Sequence, residues 1–317
     1  MELNLFRPMP KRSTKWIDGL RPEMRVSQAA RRTLRRRLDA VWQWLRKAAR
    51  RASESTEHVH QLRVATRRAM AALEGYNELL PPKKAATVTK RLKQIRRRAG
   101  PARDADVLIG RLKSLPDAAR LKPLIEKVEQ FRGDVQEPIA AIYRKLRRRK
   151  FPRDVEKLID GIHTPRHSQE TTFLQWARVG MSRTAESFFA AGGKDLGDLD
   201  LLHQFRIEGK HLRYAVEYFA CAFGPELRND IYPQIEKLQS VLGLVNDHHS
   251  ALERLAAWRA DWDDKTVRGL IDELMEQERR SLTEARQEFA RWWTTDRSAD
   301  LQRRLVALLR RPDEDAA

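Results

Sequence analysis

His60-Gln61-Leu62-Arg63-Val64-Ala65-Thr66-Arg67-Arg68 and His203-Gln204-Phe205-Arg206-Ile207-Glu208-Gly209-Lys210-His211-Leu212-Arg213-Tyr214 are two versions of one pattern, set 143 residues apart (60 to 203). The match continues at that offset. Arg67 becomes Lys210, Ala72 becomes Ala215, Glu74 becomes Glu217 and Tyr76 becomes Phe219. A second block keeps the register, with Gly100 matching Gly243 and Asp104 matching Asp247. One offset linking two separated blocks implies two copies of a helical unit, and such a repeat decides architecture before any local reading.

Each copy is amphipathic. On a wheel of about 100° per residue with His60 at zero, Arg63 falls at about −60°, Arg67 at about −20° and Glu74 at about −40°. Leu62, Ala65, Ala69, Ala72, Leu73 and Tyr76 lie opposite. In the second copy His203, Arg206, Lys210 and Arg213 share one arc, and Phe205, Leu212, Val216 and Phe219 oppose it. The helices are therefore expected to pack on one side and to present cations on the other. A merely solvated face would be free to mix Lys, Glu, Gln and Arg, whereas here the same His-Gln pair opens both stripes. Arginine also suits phosphate, through its planar two-pronged fork. Neighbouring guanidinium groups should lower the histidine pKa, and a bound polyanion should raise it again. Glu74 and Glu217 are read as holding neighbouring cations in place; Arg213 and Glu217 are four apart, the spacing of a helical ion pair.

The chain of 317 residues carries 63 Lys plus Arg against 44 Asp plus Glu, a net charge of +19. That excess favours a polyanionic partner: nucleic acid, an anionic lipid surface or a polyphosphate. With 41% hydrophobic residues there is material for a core, so the composition is not that of a disordered chain. Cys221 is the only cysteine. It cannot form an internal disulfide, which fits a reducing cytoplasm, and it reads as a small buried apolar residue. The start of the sequence lacks the apolar core of a signal peptide, and no stretch reaches the roughly 20 apolar residues of a membrane span.

Periodicity makes the chain all-α. Residues 1–22 read as a basic arm that includes Lys11 and Arg12. The first repeat is placed at 23–160 and a linker at 161–170. The second repeat is placed at 171–311 and a frayed tail at 312–317. Within the first repeat, helices are expected over Val26–Arg50, over Thr56–Leu80 with Thr56 as N-cap and Pro81-Pro82 as stop, over Lys83–Ala99, over Asp104–Leu115, on through Phe131, and over Pro138–Lys150. Within the second they are expected over Thr171–Ala191, Leu199–Phe223, Glu226–Leu242, Asp247–Ala260 and Thr266–Trp293, with a last one beyond. Gly100 and Gly243 read as C-caps, and Asp104 and Asp247 as N-caps. The tryptophans at 42, 44, 176, 258, 262, 292 and 293 read as packing residues. They are not interleaved with the cations as a single-strand stacking platform requires.

Catalytic patterns are missing. There is no phosphate-binding Gly-rich loop, dinucleotide fingerprint, His-Glu-x-x-His helix or paired cysteine. In Asp247-His248-His249 the adjacent histidines diverge by about 100° on a helix and do not chelate together. No catalytic residue, metal or cofactor is expected.

These motifs together resemble the CHAD family, the conserved histidine α-helical domain. The resemblance covers roughly residues 20–310 and rests on four segments. They are the two signature helices quoted above, Gly100-Pro101-Ala102-Arg103-Asp104-Ala105-Asp106-Val107, and Leu238-Gln239-Ser240-Val241-Leu242-Gly243 followed by Asp247. It implies two related helical bundles about a pseudo-twofold axis with a basic central groove or pore. It also implies binding of inorganic polyphosphate and association with polyphosphate granules in the bacterial cytoplasm. Carried over by position, His60, Arg63, Arg67 and Arg68 of the first copy would face the ligand, as would His203, Arg206, Lys210 and Arg213 of the second. Lys93, Arg97, Arg103 and Lys237 would add to them, while the runs Arg96–Arg98 and Arg147–Arg149 stay unassigned beyond that. Met70 stands where the second copy has Arg213, so the first stripe is expected to be the shorter. Many relatives carry an N-terminal triphosphatase-like domain for which this sequence has no room. The expectation is therefore a polyphosphate-binding protein and not an enzyme. A nucleic-acid-binding protein ranks second, and an enzyme on phosphorylated substrates third.

Overall fold

Val26, Ala29, Ala30, Leu34, Leu38, Val41, Leu45 and Ala48 recur every three or four positions, and all are buried along one side of α1 (Val26–Arg50). The same periodicity produces the rest of the chain. A computed structural model describes residues 15–52, 54–115, 118–163 and 171–311. Most of the expected arm (1–14), most of the linker (164–170) and the tail (312–317) lie outside the described residues. Among the described residues there is no β-strand; the protein is all-α. After α1 come α2 (Glu57–Gly75), a 3-10 turn at Asn77–Leu79, α3 (Pro82–Ser114), α4 (Lys122–Asp134), α5 (Glu137–Arg148) and α6 (Phe151–Asp160). Then follow α7 (Phe173–Gly192), α8 (Leu199–Phe219), a 3-10 turn at Ala220–Ala222, a π-turn at Leu227–Ile231, α9 (Tyr232–Ala260), α10 (Lys265–Trp292) and α11 (Thr295–Arg310).

Several boundaries differ from the sequence reading. Gly100-Pro101 does not end a helix, because α3 runs straight through Pro101. A proline inside a helix costs about 3 kcal/mol. Val88, Leu92, Ile95, Ala99, Ala102, Ala105, Leu108 and Leu112 carry the buried stripe across it, and each large aliphatic contributes about 1.5–3 kcal/mol when buried. Burial therefore outweighs the break. Gly243 likewise sits inside α9. Gly100 and Gly243 are thus not C-caps, and Asp104 and Asp247 are helix-interior residues, not N-caps. Side-chain caps come instead from Asp198, which accepts from the Asp200 and Leu201 amides at 2.8 and 2.9 Å, from Asp264 before α10 and from Thr294 before α11. Thr56 holds the N-cap position of α2 without a side-chain bond; Ser55 Oγ accepts from the Glu57 amide at 3.1 Å. Arg149 caps the end of α5, and Lys150, at φ 53°, is the N-cap of α6, a helix the sequence reading lacked.

The described residues form two compact units, one within 1–118 and 125–177, the other within 119–124 and 178–317. In the first, α1 packs against α2, α5 and α6, and α3 packs against the same three helices. A buried pair fixes α4 to α3: Arg132 Nε donates to Asp106 at 2.6 Å, with the Asp106 side chain 1% exposed. Trp176 Nε1 donates to the Gly75 carbonyl at 3.0 Å and closes the end of α2. In the second unit α9 lies along α8 and α10. Phe188 stacks on Phe205 at 5.0 Å, and Trp293 lies 5.4 Å from Phe205. Of the seven tryptophans read as packing residues, Trp293 is buried and the rest are half-buried. Cys221 is also only half-buried, within 3.4 Å of Arg228 Nη2, so it is not the enclosed apolar residue the sequence suggested.

Candidate functional site: two unequal cationic helix faces

In the first unit the α2 cations meet those of α3. Val59, Leu62, Ala65, Ala69, Ala72 and Leu73 bury one side of α2, leaving His60, Arg63, Arg67 and Arg68 half-buried on the remainder. Arg63 reaches across to Gly100: a Cβ there would lie 3.3 Å from Arg63 Nη1. The glycine is therefore where α3 lets a guanidinium lie against its backbone. Arg63 acts electrostatically on Asp104, Arg67, Arg96 and Arg103, and His60 on Arg103, Glu57, Arg67 and Arg63.

This crowding has chemical consequences. Burial first, then Arg103, Arg67 and Arg63, push the His60 pKa below its ordinary value, with Glu57 opposing. Burial also leads in lowering the Arg63 pKa; Arg67, Arg96 and Arg103 add to it, and Asp104 opposes. Several positive groups are thus held close together with Glu57 and Asp104 as the opposing carboxylates, an arrangement whose mutual repulsion a nearby anion would relieve. Arg96 and Asp104 belong to this cluster and were missing from the sequence-derived set. Arg96, Gly100, Arg103 and Asp104 have the i, i+4, i+7, i+8 spacing of one helix face, a signal hidden by ending the helix at Gly100-Pro101.

The second unit is built differently. His203 is exposed on α8, and Arg206 and Lys210 are half-buried beside it. Arg213 turns inward: its Nη1 donates to Glu217 at 3.3 Å, and Glu217 is 1% exposed. Tyr232 Oη donates to the same carboxylate at 3.0 Å. Burial opposes the Arg213 charge, and Tyr214, Glu217 and Tyr232 outweigh it, raising its pKa. The pairing inferred from the four-residue spacing is present, with Glu217 buried and not on an exposed face. Gly243, the counterpart of Gly100, has open space where a Cβ would go. The close approach comes instead from α8, where a Cβ on Gly209 would strike Gln239 Nε2. At the repeat offset Gln239 replaces Arg96 and Asn246 replaces Arg103, so the second face lacks the cross-helix arginines of the first. The repeated glutamines differ too: Gln61 donates back to Glu57 at 2.6 Å, and Gln204 forward to Glu208 at 2.7 Å.

Lys93 and Arg97, expected to add to the first face, instead line a groove between α3 and α5 in the first unit that His60, Arg63, Arg67 and Arg103 do not share, and Lys237 is exposed on α9. His248 Nδ1 lies 2.7 Å from the buried Glu278 of α10, which gives that histidine a structural partner. Among the described residues no group of three or more His, Cys, Asp or Glu could hold a metal ion. No helix of the described residues is long and apolar enough to cross a membrane.

Among curated proteins, none matches the chain. Among solved structures, the CHAD domain from the plant Ricinus communis superposes with a TM-score of 0.65 at 21% identity, covering 96% of both chains. PptA from Streptomyces chartreusis superposes with a TM-score of 0.58 at 16% identity, covering 83% of this chain and 97% of the other. Both show a shared fold. The CHAD domain profile matches residues 32–256, which contain both His-Gln motifs and both Gly/Asp blocks. The chain belongs to the CHAD-domain family.

Proposed function

We propose that the protein binds inorganic polyphosphate through its two cationic helix faces and is a binding module, not an enzyme. The observation that carries this reading is the gathering of His60, Arg63, Arg67, Arg96 and Arg103 where α2 meets α3, with only Glu57 and Asp104 as opposing carboxylates; burial first, and then these neighbouring cations, lower the basicity of His60 and Arg63. Polyphosphate carries about one charge per phosphate and no bases, so it needs cations at regular spacing and no aromatic platform. The α8 face supplies His203, Arg206 and Lys210 as a second, weaker half. The family's pseudo-twofold arrangement with a basic central groove is part of this proposal, supported by the common 143-residue offset of both motif blocks (60 to 203, 100 to 243). Retention on polyphosphate granules in the cytoplasm follows from it.

The test is a titration with long-chain polyphosphate at near-physiological salt, with duplex DNA as competitor. Wild type is compared with a His60→Ala/Arg63→Ala/His203→Ala/Arg206→Ala variant. The expected result is binding that resists DNA, weakens with salt through counterion release, and collapses in the variant. Equal competition by DNA per phosphate, or undiminished binding by the variant, would reduce the site to a generic basic surface. Shortening of the polyphosphate on incubation would restore the enzymatic reading.

A further inference from the structure

The groove that holds Lys93 and Arg97 has a chemistry of its own. It occupies about 1030 Å³ between α3 and α5, and His60, Arg63, Arg67 and Arg103 take no part in its lining. Its walls are cationic: Lys90, Lys93, Arg97 and Arg98 from α3, and Lys145 from α5. Among the described residues none of these five side chains has an acidic partner. The one carboxylate at the rim, Glu137, is engaged by Arg144. The floor is apolar: Ala85 and Ile142 are its buried lining residues, and Pro138 and the exposed Ala86 and Ala141 lie beside them. Adjoining the groove is a smaller recess of about 250 Å³, which shares Lys90 and Lys145 and adds Arg149 and Arg91, the latter already paired with Asp154.

Two simple occupants suit this shape poorly. Inorganic polyphosphate would satisfy the walls and leave the apolar floor against water and anionic oxygen. A purely apolar molecule would cover the floor and strip water from ammonium and guanidinium groups with no compensating charge. A ligand with an apolar body and a charged tail satisfies both. The volume is in the range of small-molecule sites, and such sites pair apolar linings with a few polar anchors. The guanidinium planes of Arg97 and Arg98 offer stacking surfaces to a flat ring. The recess is short and cationic, as a chain of two or three phosphoryl groups requires.

We propose that the α3–α5 groove is a second site, separate from the α2–α3 face, that takes an organic polyphosphate with a flat apolar body, of the nucleoside triphosphate class. The ring system would lie on the Ala86–Ala141–Ile142 floor, with the phosphoryl groups between Lys90 and Lys145 and toward Arg149. This inference goes beyond polyphosphate binding and stands without it.

The experiment is calorimetric titration of the full chain, free of divalent cations, with ATP, inorganic tripolyphosphate and adenosine as separate probes. ATP is expected to bind at least about tenfold more tightly than either of the other two, since each lacks half of the recognised chemistry. Ala141 is solvent-exposed, so Ala141→Phe fills the floor without changing charge. That variant should weaken ATP about tenfold and leave long-chain polyphosphate binding unchanged. Lys93→Ala/Lys145→Ala should weaken ATP by a similar factor through the walls, and thermal melts of both variants establish that they are folded. Equal affinity for tripolyphosphate and ATP, or full ATP affinity in Ala141→Phe, would overturn the proposal and leave a surface that reads charge alone. Loss of ATP binding in His60→Ala/Arg63→Ala would overturn it differently, by placing ATP on the α2–α3 face.

Discussion

Adding a single methyl group at each of two equivalent glycines should have unequal effects on ligand binding. Gly100 and Gly243 occupy the same place in the repeat, and both lie inside helices. Replacing glycine by alanine in a helix interior gains about 1 kcal/mol from the reduced freedom of the unfolded chain. At Gly243 the new Cβ meets nothing within 4 Å, so Gly243→Ala should realise that gain in full. For a unit of this size the melting temperature should rise by about 2–4 °C. At Gly100 the new Cβ lies 3.3 Å from Arg63 Nη1, tighter than ordinary contact. The guanidinium must shift by a few tenths of an ångström, which consumes part of the gain. A charge-assisted hydrogen bond contributes about 1.5–3 kcal/mol, and partial misalignment of one should cost about 0.7 kcal/mol, roughly threefold in affinity. Polyphosphate titration and thermal melting of the two single variants form the assay. Gly243→Ala should melt higher and bind as wild type; Gly100→Ala should melt only slightly higher and bind less tightly. If both variants bind equally, the idea that Gly100 exists to seat Arg63 is refuted.

Other outcomes follow from the same structure. His60 is held below its ordinary pKa by burial and by Arg103, Arg67 and Arg63. A bound polyanion reverses the electrostatic part, so proton uptake accompanies binding and affinity rises as pH falls from about 7.5 to about 5.5. His60→Gln should flatten that slope in titrations across the range, and an unchanged slope would remove His60 from the site. Asp39 in α1 is pushed up to about 7, chiefly by burial and also by Glu156, against the pull of Arg35. Its folded pKa exceeds its unfolded value, so its contribution to stability is complete below about pH 4 and is lost as pH rises toward about 7. Asp39→Asn should therefore stabilise by about 1–3 kcal/mol at pH 8, after discounting for partial exposure, and by almost nothing at pH 4; denaturant melts at the two pH values decide it. In α7 a Cβ on Gly180 would sit 2.7 Å from the Phe219 ring, and a buried ring has no room to retreat. Gly180→Ala should lower stability by about 1–3 kcal/mol despite the helix-propensity gain, and a melting temperature at or above that of wild type would contradict this.

The helical class and the polarity of each signature helix were legible in the sequence, because each depends on spacing along one element. The ends of α1 were legible for the same reason. What failed was any reading in which tertiary burial competes with a local signal. Gly100-Pro101 has every local mark of a helix end, yet Ile95, Ala99, Ala102 and Ala105 carry the buried stripe across it. Once α3 is continuous, Arg96, Arg103 and Asp104 fall on one face, and the cluster with His60 and Arg63 becomes visible. Met70 made the first stripe the shorter one along its own helix. Arg96 and Arg103 add to that face from a second helix, which no single-helix wheel displays. The Arg213–Glu217 pair shows the opposite case: spacing revealed the partner, and only packing revealed that the carboxylate is buried.

The two compact units also bear on synthesis. The second unit claims residues 119–124, after which the chain returns to the first unit until 177. During translation the first unit cannot be completed before Ala177 leaves the ribosome, and the early segment of the second must wait for the rest of its unit. The two domains are therefore interleaved in time although their motifs are tandem in sequence. Cutting the gene at its midpoint would give two fragments, neither of which contains a whole domain.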